Sequence, residues 1–316
     1  MIRRLGLGLV VLAALTCAPA ALAAYPSPTA EQGGLGVLGS GGAVRFVALP
    51  AEADTVVAKI GTRDGALRGS RALYGSFGIP VLVHGGAGDA ISRDGSFLVL
   101  QTTEPGPTTE LLIVSTRDLS TLDTIRLDGS FAYDALSPDG TMLYLIQHTS
   151  VNDFQHYVVR AYDLDAHALL PGRIADKAQK TWVMQGFPIT RTTSANGRWV
   201  FTLYENPGGY PFIHALDTVR AVAHCIGLPW TSTNQAPLGK AALSLHGTTL
   251  AVDLKGGTPW LNVSTATWKT SAARSASAVP WLWLALGLVG AAAVLAGAIL
   301  VRRRRGGGTL RVSPAS

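Results

Sequence analysis

Leu136-Ser137-Pro138-Asp139-Gly140-Thr141-Met142-Leu143-Tyr144-Leu145-Ile146-Gln147 joins two apolar runs through an Asp-Gly pair. That pair is a strong hairpin signal, because the turn needs positive φ, which Gly adopts freely and Asp or Asn tolerate. Ser137 stands three residues before the Gly, placed to hydrogen-bond its own backbone and support the turn. Met142 to Ile146 suits a buried strand. The same text returns at Ser92-Arg93-Asp94-Gly95 and, with Asn for Asp, at Ser194-Ala195-Asn196-Gly197, each time ahead of an apolar run. Weaker echoes stand at Ser244-Leu245-His246-Gly247 and at Gly41-Gly42.

The glycines at 42, 95, 140, 197 and 247 lie 53, 45, 57 and 50 residues apart. A second landmark moves with them. Asp118, Asp163 and Asp217, each after an alternating apolar run, follow their glycines by 23, 23 and 20 residues. A period of roughly 40–50 residues with room for four strands per unit is the pattern of propeller blades. The text of Ser-Pro-Asp-Gly, strand, then strand ending in Asp-Leu resembles the YVTN and WD40-like β-propeller repeats. The resemblance covers residues 40–270 and is best at the three central copies. It implies an all-β fold, a β-propeller of about five four-stranded blades, and little about activity, because such propellers host many functions. A Greek-key β-sandwich, with the turns recurring by coincidence, is the competing architecture.

The ends set an address. Residues 1–23 read as a signal peptide: Arg3 and Arg4, an apolar run from Leu5 to Leu15, and a small-x-small site at Ala21-Leu22-Ala23. Cys17 raises a lipoprotein alternative, but the residues before it fit that pattern poorly. Residues 24–41 form a Pro/Ser/Gly-rich leader with room for one strand, and 42–269 the propeller ectodomain. Gly34 to Gly39 matches GxGxxG, yet it follows a signal peptide and precedes a strand, so the dinucleotide reading lacks its βαβ context. Residues 270–278 read as a linker. Residues 279–301 carry no charge and are long enough for a transmembrane helix, with Trp281 and Trp283 at one interface and Arg302 to Arg305 at the other. The positive-inside rule makes 302–316 a cytoplasmic tail and the protein a single-pass type I cell-membrane protein with its ectodomain outside. Gly287 with Ala291, and Ala293 with Gly297, have the small-xxx-small spacing that permits helix pairing.

The net charge of +6 does not survive removal of the ends. Arg3, Arg4, Arg302 to Arg305 and Arg311 account for seven of 26 basic residues, leaving 19 against 20 acidic ones. A near-neutral ectodomain has no electrostatic footprint for nucleic acid. Cys225 is the single cysteine beyond the signal, which excludes an intramolecular disulfide and a Cys-based zinc site. There is no GxSxG elbow, HExxH or EF-hand loop, and the residues call for no cofactor. The recurrent Asp94, Asp139 and Asn196 read as turn residues rather than as an acid–base ring.

The most ligand-like stretch is the polar insertion Thr149 to Gln155, flanked by His148 and His156 with Asp153 between them. Asn206-Pro207-Gly208-Gly209-Tyr210 takes the equivalent place in the next repeat. His148, Asp153, His156, Asn206 and Tyr210 are therefore the candidate ligand-facing residues, against a reading of both stretches as ordinary solvated loops. Three functions fit the organisation. The first is a binding or interaction module for an extracellular protein or small molecule. The second is a surface-anchored hydrolase or lactonase-like enzyme, which needs Asp, Glu or His residues converging on one face and would be favoured by His148, Asp153 and His156 within metal-bonding distance. The third is a structural subunit of a membrane complex.

Overall fold

The computed structural model describes residues 29–83, 89–176 and 183–273. The signal peptide, the transmembrane segment and the Arg-rich tail read from the sequence lie outside these residues. Among the described residues no helix is long and apolar enough to cross a membrane.

The chain folds into five antiparallel sheets taken one after another in sequence. Blade I is β2 (Val37–Leu38), β3 (Val44–Ala51), β4 (Asp54–Gly61) and β5 (Leu67–Leu73). Blade II is β6 (Phe77–Val81), β7 (Phe97–Thr102), β8 (Thr108–Ser115) and β9 (Thr121–Asp128), with β1 (Thr29–Glu31) added beside β6. Blade III is β10 (Phe131–Leu136), β11 (Met142–Ser150), β12 (Asp153–Asp163) and β13 (Ala168–Leu169), with β14 (Met184–Gln185) also on β12. Blade IV is β15 (Phe187–Thr193), β16 (Trp199–Glu205), β17 (Phe212–Asp217) and β18 (Val222–Gly227). Blade V is β19 (Ala242–His246), β20 (Thr249–Leu254), β21 (Thr258–Ser264) and β22 (Thr270–Ala272). Consecutive four-stranded meanders are the blade topology of a propeller, not the two packed sheets of a sandwich.

Two sequence boundaries shift. The leader supplies β1 and β2, and the expected linker supplies β22, whose Ser271 pairs with Asn262. These strands are only two or three residues long, so their strand character comes from pairing with an existing edge rather than from propensity.

Burial orders the strands radially. In blades II and III the first strands, β6 and β10, are mostly buried, while the fourth strands β5 of blade I and β9 of blade II are largely exposed. Four apolar clusters lie between successive blades. Phe46, Val57 and Leu98 join I to II, and Val99, Ile125 and Leu143 join II to III. Tyr144, Tyr157 and Leu216 join III to IV, and Phe201, Ile213 and Leu250 join IV to V. Among the described residues no such cluster joins V to I.

The quoted turn is built as its residues dictate. Met142 N–H donates to Ser137 Oγ at 2.9 Å, Thr141 N–H to Asp139 Oδ1 at 3.2 Å, and Gly140 takes φ +74°. Blades II and IV repeat this set: Phe97 N–H on Ser92 Oγ at 3.1 Å and Trp199 N–H on Ser194 Oγ at 2.9 Å. In all five blades this turn is locked to the end of the third strand. Thr62, Thr116, Leu164, Thr218 and Thr265 donate N–H to the carbonyls of Ala43, Ser96, Thr141, Arg198 and Thr248. The four threonines add a hydroxyl: Thr62 Oγ1 to Gly42 O at 2.7 Å, Thr218 Oγ1 to Gly197 O at 3.0 Å, Thr265 Oγ1 to Thr248 O at 3.1 Å, and Thr116 Oγ1 to Gly95 O.

This register corrects the second landmark. Asp163 and Asp217 end the third strand opposite Met142 and Trp199, but the matching residue in blade II is Ser115, opposite Phe97. Asp118 lies three residues further on, in the following turn, where its carboxylate accepts from Ser120 N–H at 3.3 Å. An acidic residue is useful at either place as a turn acceptor, so similar text arose from different positions.

Thr218 is fully buried, and its hydroxyl holds the blade IV turn. Thr218→Val is expected to lower stability by about 1–3 kcal/mol, read as a lower urea midpoint with an unchanged m value. A midpoint equal to that of the wild type would show that the clamp adds nothing beyond its backbone bond.

Candidate functional site

The first strands of blades III and IV bring Asp134 and Arg191 together with Asp89, which stands ahead of β7 in blade II. Asp89, Asp134 and Arg191 each stand three residues before the turn serines Ser92, Ser137 and Ser194, so they occupy one level. Asp134 sits where β10 and β11 slip register between Tyr133 and Ala135. A bulge takes a residue out of the ladder, and the Asp134 carbonyl accepts from Arg191 Nη1 at 2.8 Å. Arg191 Nη2 lies 3.4 Å from Asp134 Oδ1, and Nη1 lies 3.3 Å from Asp89 Oδ2. Tyr133 Oη donates to the Asp89 carbonyl at 3.1 Å.

The environment is low-dielectric: the side chains of Asp134 and Arg191 are 3% and 11% exposed, against 43% for Asp89. Burial pushes the Asp134 carboxyl up to about 6, opposed by Arg191 and reinforced by Asp89. Burial also works against the Arg191 charge, but the two carboxylates outweigh it and hold the guanidinium protonated. A cavity of about 230 Å³ opens beside this cluster, lined by Asp89, Arg93, Tyr133, Ser137, Pro138 and Val200 among others. No motif announced the cluster. The available signal was the shared offset from the turn serines.

The turn carboxylates are engaged through one oxygen each, Asp94 Oδ1 and Asp139 Oδ1. Asp94 and Asp139 are held below the usual carboxylate range, first by the Ser92 and Ser137 hydroxyls and then by backbone N–H groups. They act as turn acceptors, as read from the sequence.

The other face carries the hairpins between second and third strands. In blade III that hairpin is tighter than expected. Strand pairing runs through His148↔Tyr157 and, after a register shift, resumes at Ser150↔Asp153, so His148 is a strand residue and not part of a loop. His148 is buried, its Nδ1 lies 3.2 Å from Ser130 Oγ, and Phe154 packs edge-on against its ring at 5.1 Å. Desolvation lowers its pKa to about 4, leaving it neutral. Asp153 and His156 pair at 2.7 Å on the half-exposed surface. Among the described residues no group of three or more His, Cys, Asp or Glu is placed to hold a metal ion.

Asn206 and Tyr210 belong to the blade IV hairpin. Gln235, from the crossover into blade V, accepts from Asn206 N–H and donates to the carbonyls of Asn206 and Gly209, each at 2.9 Å. Tyr210 is 70% exposed and lines a cavity of about 300 Å³ with Trp230. The two hairpins are linked through β14: Gln185 pairs with His156, and its side chain donates to Pro207 O at 3.4 Å. Cys225 is a free thiol near His214, with its pKa pushed up to about 12 by burial.

No family model matches the chain, and no curated protein matches it. Solved structures share the all-β blade arrangement. The β-propeller domain of Myceliophteria thermophila Cps50 (Swd1) is 10% identical, with 80% of this chain and 72% of that chain covered and a TM-score of 0.44. A chain of the mitotic checkpoint complex is 17% identical, with 83% and 74% covered and a TM-score of 0.44. TolB from Acinetobacter baumannii is 14% identical, with 78% covered, and this chain spans 53% of its length at a TM-score of 0.40. None is near enough in sequence to carry a residue across.

The axial cluster makes stability depend on pH. The raised Asp134 pKa means the folded state binds the extra proton, so this contribution is complete below about pH 4 and is lost as pH rises through about 6. Asp134→Asn is expected to flatten the urea midpoint across that window. Arg191→Met strands two carboxylates and is expected to cost about 3–5 kcal/mol near pH 7, with the deficit shrinking toward pH 4 as Asp134 protonates. A pH-independent deficit would show that the ion pair is energetically idle.

Proposed function

We propose that the chain is a single-pass membrane protein that displays its propeller outside the cytoplasm as a binding module. The contact surface is the face carrying the hairpins of blades III and IV. The observation that carries this reading is their linkage: β14 and Gln185 tie the Asp153–His156 edge to the Pro207 turn, making one continuous surface. Val151 and Tyr210 stand exposed on it. An exposed aromatic on a rigid hairpin is the usual anchor of an interface. On the opposite face the Ser, Asp and Asn side chains of the first turns are engaged within those turns, and loops held on a rigid scaffold are where binding residues collect. The signal peptide, the uncharged span and the Arg stop support the topology.

The topology is tested by protease treatment of intact cells expressing the full chain with a C-terminal epitope. The expected outcome is loss of the propeller with the tail epitope protected. Protection of both would place the propeller inside. For the binding face, photo-crosslinkers at Val151 and Tyr210 are expected to yield adducts, while crosslinkers at Leu122 and Val219, exposed on the turn face, do not. Adducts confined to the turn face would reverse the assignment.

A further inference from the structure

The cavity between the blade IV hairpin and the crossover into blade V has a chemistry that points to one ligand class. It is lined by Tyr210, Trp230, Thr231, Thr233 and Gln235, with Gly208 and Gly209 in the hairpin wall. No acidic, basic or histidine side chain lines it. The other cavities differ: Asp89 and Arg93 line the axial one, Glu104 and His148 another, Asp176 and Lys269 a third. A charged ligand placed here would leave water without a counter-charge, so the occupant is neutral.

Its walls are aromatic, and their polar atoms divide into two sets. Trp230 is braced perpendicular to Trp260 at 5.1 Å, and its indole N–H donates to Asn234 O at 3.2 Å. With that donor engaged, Trp230 offers a ligand only apolar ring surface. The hydroxyls of Tyr210, Thr231 and Thr233, by contrast, have no hydrogen-bond partner among the described residues. Hydroxyls donate and accept, as do the hydroxyls of a sugar. Apolar ring surface beside unengaged hydroxyls complements a pyranose, which has a C–H face and a hydroxyl rim.

The site is also held in shape before any ligand arrives. Gln235 is buried, and its three 2.9 Å bonds lock hairpin to crossover. A Cβ at Gly209 would come 2.4 Å from Asn206 Nδ2 and displace the nitrogen that donates to Tyr210 O. Pre-formed walls spare the ordering cost of binding. We propose that this cavity binds a neutral saccharide. The proposal rests on the reading of this face as the binding face and names its ligand class. A proline-rich peptide also uses aromatic walls, but Trp230 has no free donor for a peptide carbonyl.

The test is calorimetric titration of the full chain in a polyoxyethylene detergent, which has no sugar headgroup. The probes are maltotetraose, cellotetraose and chitotetraose, with a proline decamer for comparison. Saturable binding of at least one tetrasaccharide is expected, insensitive to salt because no charge takes part. Tyr210→Ala should weaken it by roughly tenfold or more, while Tyr210→Phe keeps most of it. Tyr210 is exposed, so its truncation leaves the fold intact. Absence of saturable heat with every tetrasaccharide up to about 10 mM overturns the proposal. So does binding that survives both Tyr210→Ala and Trp230→Ala, or binding of the proline decamer alone. Adducts from a crosslinker at Tyr210 without saccharide binding would overturn the ligand class and leave the binding face standing.

Discussion

One backbone hydrogen bond underlies the whole architecture. In every blade, the residue just past the third strand donates its N–H to the carbonyl beside the first turn. That bond closes each meander at one end and fixes how far the second and third strands run together. In four of five blades a threonine hydroxyl reinforces it, and the fifth uses Leu164, whose backbone alone makes the bond. A second clamp acts between blades at the opposite end. Thr55 and Thr109 hydroxyls accept the N–H of Phe77 and Phe131, the residues that open the next inner strand, at 2.7 and 2.9 Å. The turn bonds close each blade, hydroxyls pin the I–II and II–III junctions, and the apolar clusters fill the space between blades.

These constraints divide labour between the two faces. On the turn face the polar side chains are occupied: Ser92, Asp94, Ser137, Asp139, Ser194 and Asn196 all bond within their own turns. The hairpin face is released from that duty, and its connections vary from the two-residue turn of blade III to the Gly-Gly turn of blade IV. Variation on a fixed scaffold is the physical basis for placing recognition there.

The axis carries a different compromise. Arg191 and Asp134 are buried together, and desolvation of such a pair absorbs much of the Coulomb attraction. Replacing both by well-packed apolar residues would cost little stability. What the cluster does is tie blades II, III and IV at one level, because Arg191 on β15 reaches both Asp134 on β10 and Asp89 ahead of β7. The bulge at Asp134 exists in the same geometry, freeing the carbonyl that Arg191 uses.

The sequence by itself determined the repeating unit. Asp-Gly and Asn-Gly turns followed by apolar runs are local chemistry, and their spacing of 45–57 residues implied five units before any contact was known. It determined as well that Cys225 stands alone and that charge gathers at the ends. Tertiary structure decided the rest, wherever meaning depends on a partner far along the chain. Asp118 looked equivalent to Asp163 because turns accept an acidic residue at two places, and only the ladder register separates them. His148 looked like a loop residue because it is polar, yet the ladder continues past it and buries it. Asp89, Asp134 and Arg191 have no common motif, and their 57-residue reach from blade III to blade IV becomes contact only when the inner strands converge. Tyr210 and Trp230 likewise face one cavity because Gln235 binds a hairpin 29 residues behind it, a closure that no local pattern encodes.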